Sequence, residues 1–380
     1  VASAAKNLTF QSGNLDIAST ITGTASSTLL ITPNAAATTM GIGSGQVGTL
    51  NLTNAELANI VGSWNLLQFG STSMTGAMNI GTYSPTNSFA YYTLSGLMSI
   101  NGAQTAAAGK NLTLTTNNLA VNAGLTGSTG TLTITPTNTT TTVGLGNAAV
   151  GTLNLTNAEL AQISGAWNSL VLGRSDSTVA MDVRAYNWLG HTQLLNRGTM
   201  SINGAQNMAA GKNLSITASA LTVGGALTGT GNLTISPATT AITMGLGAGA
   251  AGTLNLDATE LSLIGNTWSN VTLGGNSTVA MDVRAANWTN NTTLTWNTGA
   301  MTIAGAQTVA AGKNLTLSSS NLNLNAAVSG TGSLFLVPYS ASGTMGLGTA
   351  SVGTLKLDDT ELTRIQDGWS QIVFGRNSAS

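Results

Sequence analysis

Apolar residues in this chain rarely run together; they alternate with Thr, Asn, Ser or Gly. Between Lys110 and Gln206 the alternation appears in the runs 111–114, 132–134, 152–155, 169–172, 179–183 and 200–202. Each run places apolar side chains at i and i+2, on one face of a strand. Gly, Asn, Ser and Thr fill the connections, where corners need positive φ or side-chain-to-backbone bonds. Leu112 and Leu132 lie 20 residues apart, and Leu132 and Leu153 lie 21 apart. That step fits one turn of a parallel β-solenoid, with turns stacked about 4.8 Å apart.

The pattern is itself repeated. A segment read from Val47 to Leu57, followed by Trp64, returns with its tryptophan at Trp167, Trp268 and Trp369, at spacings of 103, 101 and 101 residues. The phrase Lys-Asn-Leu keeps the same beat at Lys6, Lys110, Lys212 and Lys313. Self-similarity at a fixed period marks an array in which each unit buries its apolar face on the next. The repeats run approximately 1–104, 105–206, 207–307 and a truncated 308–380. The expectation is one continuous all-β column of about 20 residues per coil. Each repeat would hold about five coils and the chain roughly 18 to 19, a rod on the order of 90 Å. Both termini fall inside a repeat, which reads as a piece of something longer.

One part of each repeat is not strand-like. Thr53 to Glu56 recurs as Thr156 to Glu159, Asp257 to Glu260 and Asp358 to Glu361. Thr or Asp followed three residues later by Glu, before apolar residues, is a capping box. Leu57, Ile60, Val61 and Trp64 then fall at i, i+3, i+4 and i+7, one face of a helix. The spacing predicts a helix of two to three turns per repeat, anchored by Trp64, Trp167, Trp268 or Trp369. The four glutamates are the only ones in the chain, and the cap accounts for their place. Glu159→Ala is therefore expected to cost about 1 kcal/mol or less.

Composition narrows the function classes. Charged residues make up 6% of the chain, against roughly 25% in an average soluble domain, and no basic run exists to follow a nucleic acid. No apolar stretch approaches the roughly 20 residues of a membrane span. Cysteine is absent, which excludes disulfides and thiolate metal sites. His191 is the sole histidine, and the sequence offers neither a metal-ligand set nor a nucleophile–base arrangement. No catalytic residue, metal or cofactor is expected. The Gly-rich phrase 143–146 lacks the strand-to-helix context of a phosphate loop.

Three further groups carry alternatives. Asp182 and Arg184 recur as Asp282 and Arg284; i and i+2 share a strand face, so the pair reads as an exposed ion pair or a partner-docking point. Trp188, Trp288, Tyr186 and Trp296 lie where repeats differ most, and variable loops on a fixed scaffold are common recognition elements. Their rings either stack on sugars or a partner, or are buried between coils. Asn-Leu-Thr and Asn-Leu-Ser at Asn7, Asn51, Asn111, Asn154, Asn213, Asn232 and Asn314 match glycosylation acceptors, but in so Asn- and Thr-rich a chain they read as strand composition.

With these residues in view, the chain resembles the filamentous-haemagglutinin-like large exoproteins of Gram-negative bacteria. Residues 109–114 (Gly-Lys-Asn-Leu-Thr-Leu) and 228–235 look like their β-helix coils, and 150–160 like a segment of their longest members. The resemblance implies a right-handed parallel β-helix, export to the cell surface, and adhesion or fibre work without catalysis. Partners would be further copies of the chain or surface glycans. Alternatives are a glycan-binding recognition fibre and tandem Ig-like sandwiches, whose length suits a hundred-residue repeat.

Overall fold

The structure, a computed structural model, describes residues 6–376. The reading of the two termini rests partly on residues 1–5 and 377–380, which lie outside the described residues. The described chain is an all-β parallel solenoid with a short helix in every repeat. Fifteen strands belong to one parallel sheet, and parallel pairing builds the other sheets too. An Ig-like sandwich, built from antiparallel strands, is thereby excluded. The chain divides into two compact units, Val1–Arg184 with Leu189–Gln193, and Ala185–Trp188 with Leu194–Ser380.

One lap of the first unit shows the construction. The chain runs through strands Leu112–Thr115, Leu119–Val121 and Leu125–Ser128, then re-enters the first ladder as Thr131–Thr135. Leu112 pairs with Leu132 and Leu114 with Ile134. The inward column of this ladder in unit 1 reads Leu8, Leu29, Leu67, Phe89, Leu112, Leu132 and Leu170. From Leu29 onward these residues are buried. In unit 2 the matching column includes Leu214, Leu233, Val271, Thr292, Leu315 and Leu334, all buried. A second ladder stacks Met40, Met78, Met98 and Leu119 beside Ile42, Ile80, Ile100 and Val121. Parallel pairing in register puts like residues on like residues, and the period-two alternation keeps every second one out of water.

The count of laps differs from the expectation. Leu132 pairs not with Leu153 but with Leu170, 38 residues on. The same long lap separates Leu29 from Leu67, Leu233 from Val271 and Leu334 from Ile372. A repeat therefore holds four rungs rather than five. The extra residues form a local excursion. After Val143–Leu145 the chain turns back and returns as Leu153–Leu155, paired in parallel at a ten-residue offset, Val143 with Leu153. Parallel neighbours normally need a crossover of a dozen residues or more. The returning strand takes the side of Val143–Leu145 opposite Met181–Val183, which places it beside Leu119–Val121 of the lap before. The sheet ends at the returning strand, and this step backward recurs at Leu50–Leu52, Leu254–Leu256 and Leu355–Leu357.

The helices follow directly: α1 Asn54–Ala58, α2 Asn157–Leu160, α3 Ala258–Ser262 and α4 Asp359–Leu362. Each is a single turn, not the two or three that the i, i+3, i+4, i+7 spacing predicts. In the first two repeats Ile60–Gly62 and Ile163–Ala166 rejoin a sheet, pairing with Ile21–Gly23 and Leu125–Ser128. Ile264 and Ile365 make single bridges to Leu227 and Val328. Backbone hydrogen bonding to the lap below outcompetes helix extension, since a helix this short gains little of its own. The apolar residues that mimic a helical face are strand positions instead.

Candidate functional site

The recurring polar and aromatic side chains are the natural place to look for chemistry, and the glutamates come first. In all four helices the Thr or Asp side chain accepts from the Glu backbone N–H, and the Glu carboxylate accepts from the cap residue's N–H. One carboxylate oxygen completes this capping box, as in Asp257 N–H to Glu260 Oε2 at 2.9 Å. The other reaches the preceding lap. Glu56 Oε1 accepts from the N–H of Ile17 at 3.2 Å, Glu159 from Val121 at 3.2 Å, Glu260 from Val223 at 2.8 Å and Glu361 from Leu324 at 2.9 Å. Val121, Val223 and Leu324 end the strands facing the excursion. The glutamate is thus a cap and a bridge across the ladder's break, a second duty that local sequence does not reveal.

Burial alone would raise the carboxyl of Glu56. The hydrogen bonds from the backbone and hydroxyl of Thr53 and from Ile17 outweigh it and hold that group below its ordinary value. A carboxyl depressed in the folded state contributes stability that is present above its unfolded value and lost as pH falls through the folded one. Wild-type melting temperature is therefore expected to drop on acidification below about pH 4 more steeply than that of Glu56→Gln, read by circular dichroism across a pH series. Parallel pH curves for the two proteins would contradict it.

The tryptophans do not sit on the helices. Each lies over a glycine of the preceding lap: Trp64 over Gly23, Trp167 over Gly127, Trp268 over Gly229 and Trp369 over Gly330. A Cβ at Gly127 would stand 2.5 Å from the Trp167 ring, and one at Gly23 would stand 2.1 Å from Trp64. Trp64, Trp167 and Trp268 are buried, with indole N–H groups donating to the carbonyls of Val61, Leu125 and Leu227. These glycines recur on the repeat's beat, the signal that could have exposed the stack.

The aromatic residues considered for partner or glycan contact are placed otherwise. Trp188, Trp288 and Trp296 are 1%, 5% and 0% exposed, so none offers a ring face to a sugar. Trp188 and Trp288 donate to the side-chain carbonyls of Gln206 and Gln307 at 2.8 and 2.9 Å, and Trp296 donates to Val279 O. Tyr186 is half-buried against Trp188, ring centroids 4.7 Å apart. Tyr91 plays the tryptophan's part in the first repeat, donating to Gln104. Burial of the apolar rings, together with a fixed acceptor for each polar N–H, decides this arrangement. Gln104, Gln206 and Gln307 are fully buried; each ends a Gly-Ala-Gln phrase of the sequence, and nothing in that phrase points to the glutamine's partner.

The Asp–Arg pairs are not simply exposed. Asp182 is 9% exposed. Its Oδ2 accepts from Arg184 Nε at 3.0 Å and from the N–H of Val150 at 2.8 Å. Asp282 does the same for Arg284 and Ala251. The pair fastens the loop of the backward excursion. The Lys-Asn-Leu asparagines likewise bridge laps: Oδ1 of Asn7, Asn111, Asn213 and Asn314 accepts the N–H of Thr28, Thr131, Asn232 and Ser333.

Two clefts repeat beside the helices. One of about 580 Å³ is lined by Ala258, Leu261, Ile264, Asn266, Ala286 and Thr289. Its counterpart in the first repeat, about 390 Å³, includes Asn54, Leu57, Ile60, Tyr83 and Asn87. The larger has no ionisable residue in its lining. Among the described residues no group of three or more His, Asp or Glu side chains is placed to hold a metal, and no helix is long and apolar enough to cross a membrane.

The geometry defines a parallel β-solenoid whose recurring side chains bond to their own neighbouring laps. No protein-family model, no curated protein and no solved structure matches the chain.

Proposed function

We propose that this chain is a structural or adhesive segment of an extracellular bacterial fibre, acting without catalysis and related to the filamentous-haemagglutinin-like exoproteins. The observation that supports this reading most is the use of the recurring residues. Glutamate, glutamine, aspartate and asparagine make lap-to-lap bonds and the tryptophans pack on glycines of the preceding lap, so the repeated chemistry serves the scaffold. Parallel ladders of this kind resist extension along many hydrogen bonds at once and tolerate variable loops. Partners in this reading are copies of the chain or a surface.

Display of residues 1–380 on a non-adherent bacterial host tests the proposal. Gain of attachment to surfaces, or filaments in electron micrographs of the purified chain, is the expected result. A chain that neither attaches nor assembles, but turns over a substrate in an activity screen, overturns it.

A further inference from the structure

The cleft beside α3 lies where the repeats differ by one side chain. Opposite each buried glutamine of the Gly-Ala-Gln phrase stands one residue of the preceding lap. Tyr83 faces Gln104, Tyr186 faces Gln206 and Ala286 faces Gln307. The first two repeats thus place a phenol ring here, and the third places a methyl group. Tyr83 lines the cleft of about 390 Å³, and Ala286 lines the one of about 580 Å³. The helix side of the two clefts corresponds, Leu57 and Ile60 with Leu261 and Ile264. The extra room in the third repeat therefore coincides with the ring that the first two repeats carry.

Two groups beside this room lack a partner. In the first repeat Tyr83 meets the buried Phe69 and Phe89 edge-on, with ring centroids 5.8 and 5.9 Å apart. In the second repeat Tyr186 meets the buried Trp188 edge-on at 4.7 Å. Such pairs are favourable beyond the area they bury. The third repeat keeps the buried ring, Trp288, and omits the phenol; among the described residues no aromatic ring is paired with Trp288. Asn290 is the second group. It is 3% exposed, and its Nδ2 donates at 3.0 Å to the carbonyl of Gly265, which lines the cleft. Its Oδ1 is buried and accepts from no donor, an unfavourable state that a hydroxyl would relieve. Asn87 makes the equivalent bond to Gly62 in the first repeat, where no oxygen is left buried and unpaired. The lining of the larger cleft holds no ionisable residue, which favours a neutral ligand, and its volume falls within the roughly 300–1,000 Å³ of small-molecule sites.

We propose that this cleft binds a small neutral phenol, whose ring stands against Trp288 as that of Tyr186 stands against Trp188, and whose hydroxyl meets the Asn290 side chain. The inference is independent of the fibre reading: a chain that attaches to nothing can still hold this ligand.

The test titrates p-cresol, the tyrosine side chain as a free molecule, into the full chain and follows methyl signals by NMR. Saturable shifts at Leu261, Ile264 and Ala286 are expected, with a Kd on the order of a millimolar or below. Ala286→Tyr restores the ring and should abolish those shifts at Leu261 and Ile264 while the chain still melts cooperatively. If that variant does not fold, Ala286→Leu fills part of the same room and should weaken binding severalfold. Two analogues probe the chemistry in the wild type. 4-Methylcyclohexanol keeps the hydroxyl without the aromatic ring, and 4-methylanisole keeps the ring without the donor; each should bind severalfold more weakly than p-cresol. The proposal is overturned by the absence of saturable shifts at these methyls, by a folded filling variant that binds as wild type does, or by either analogue binding as well as p-cresol.

Discussion

Gly127→Ala is expected to destabilise the second repeat far more than the size of one methyl would suggest. The new Cβ would stand 2.5 Å from three atoms of the Trp167 ring, and the ring has nowhere to retreat because Trp167 is buried with its N–H bonded to Leu125 O. Overpacking a filled site costs about 1–3 kcal/mol. Expelling the indole adds a loss on the scale of a Trp→Ala truncation, about 3–5 kcal/mol. An outcome of about 3 kcal/mol or more is expected, measured by urea denaturation with tryptophan emission shifting to the red. Trp167→Ala should cost a similar amount. The double variant should cost less than the sum, because the clash vanishes with the ring. Additive effects would mean that the two residues do not pack as described.

The second large effect belongs to Glu260→Ala. Removing this side chain orphans the N–H of Asp257 at the cap and the N–H of Val223 at the edge of the preceding lap. A lost cap costs about 0.5–2 kcal/mol, and an unsatisfied buried donor about 1–3 kcal/mol. The expectation is about 2–3 kcal/mol, above the ceiling that the capping box alone implies. Amide hydrogen exchange separates the two duties. Val223 should lose protection in Glu260→Ala, whereas Asp257→Ala, which spares the Glu260 carboxylate, should leave Val223 much closer to wild type. Unchanged exchange at Val223 would remove the bridge from the account.

These two sites also show how far the primary structure could be read. Local patterns were legible. Period-two alternation named the strands, the hundred-residue beat named the array, and Thr or Asp before Glu named the cap, because each depends on neighbours within a few positions. The helices are shorter than their spacing implies for a physical reason: Ile60 and Ile163 satisfy both a helical and a strand spacing, and a partner lap about 40 residues away decides between them. The lap count failed likewise. Leu153 sits where a regular coil would put it, but the turn after Leu145 folds it back beside Val143.

The candidate binding residues followed the same division. That Trp188 and Trp288 lie in variable segments is a property of the chain order; that they are buried against Gln206 and Gln307 is decided by which laps stack. That Tyr83, Tyr186 and Ala286 hold one equivalent place opposite a glutamine emerges only from register. By itself the amino-acid order determined that short, charge-poor strands would repeat and where each single-turn helix would start, because alternation and capping are local. Only the tertiary structure decided which rung meets which, since pairing between laps turns on the closure of loops of unequal length, and with it the bridging role of Glu260 and the room left beside α3.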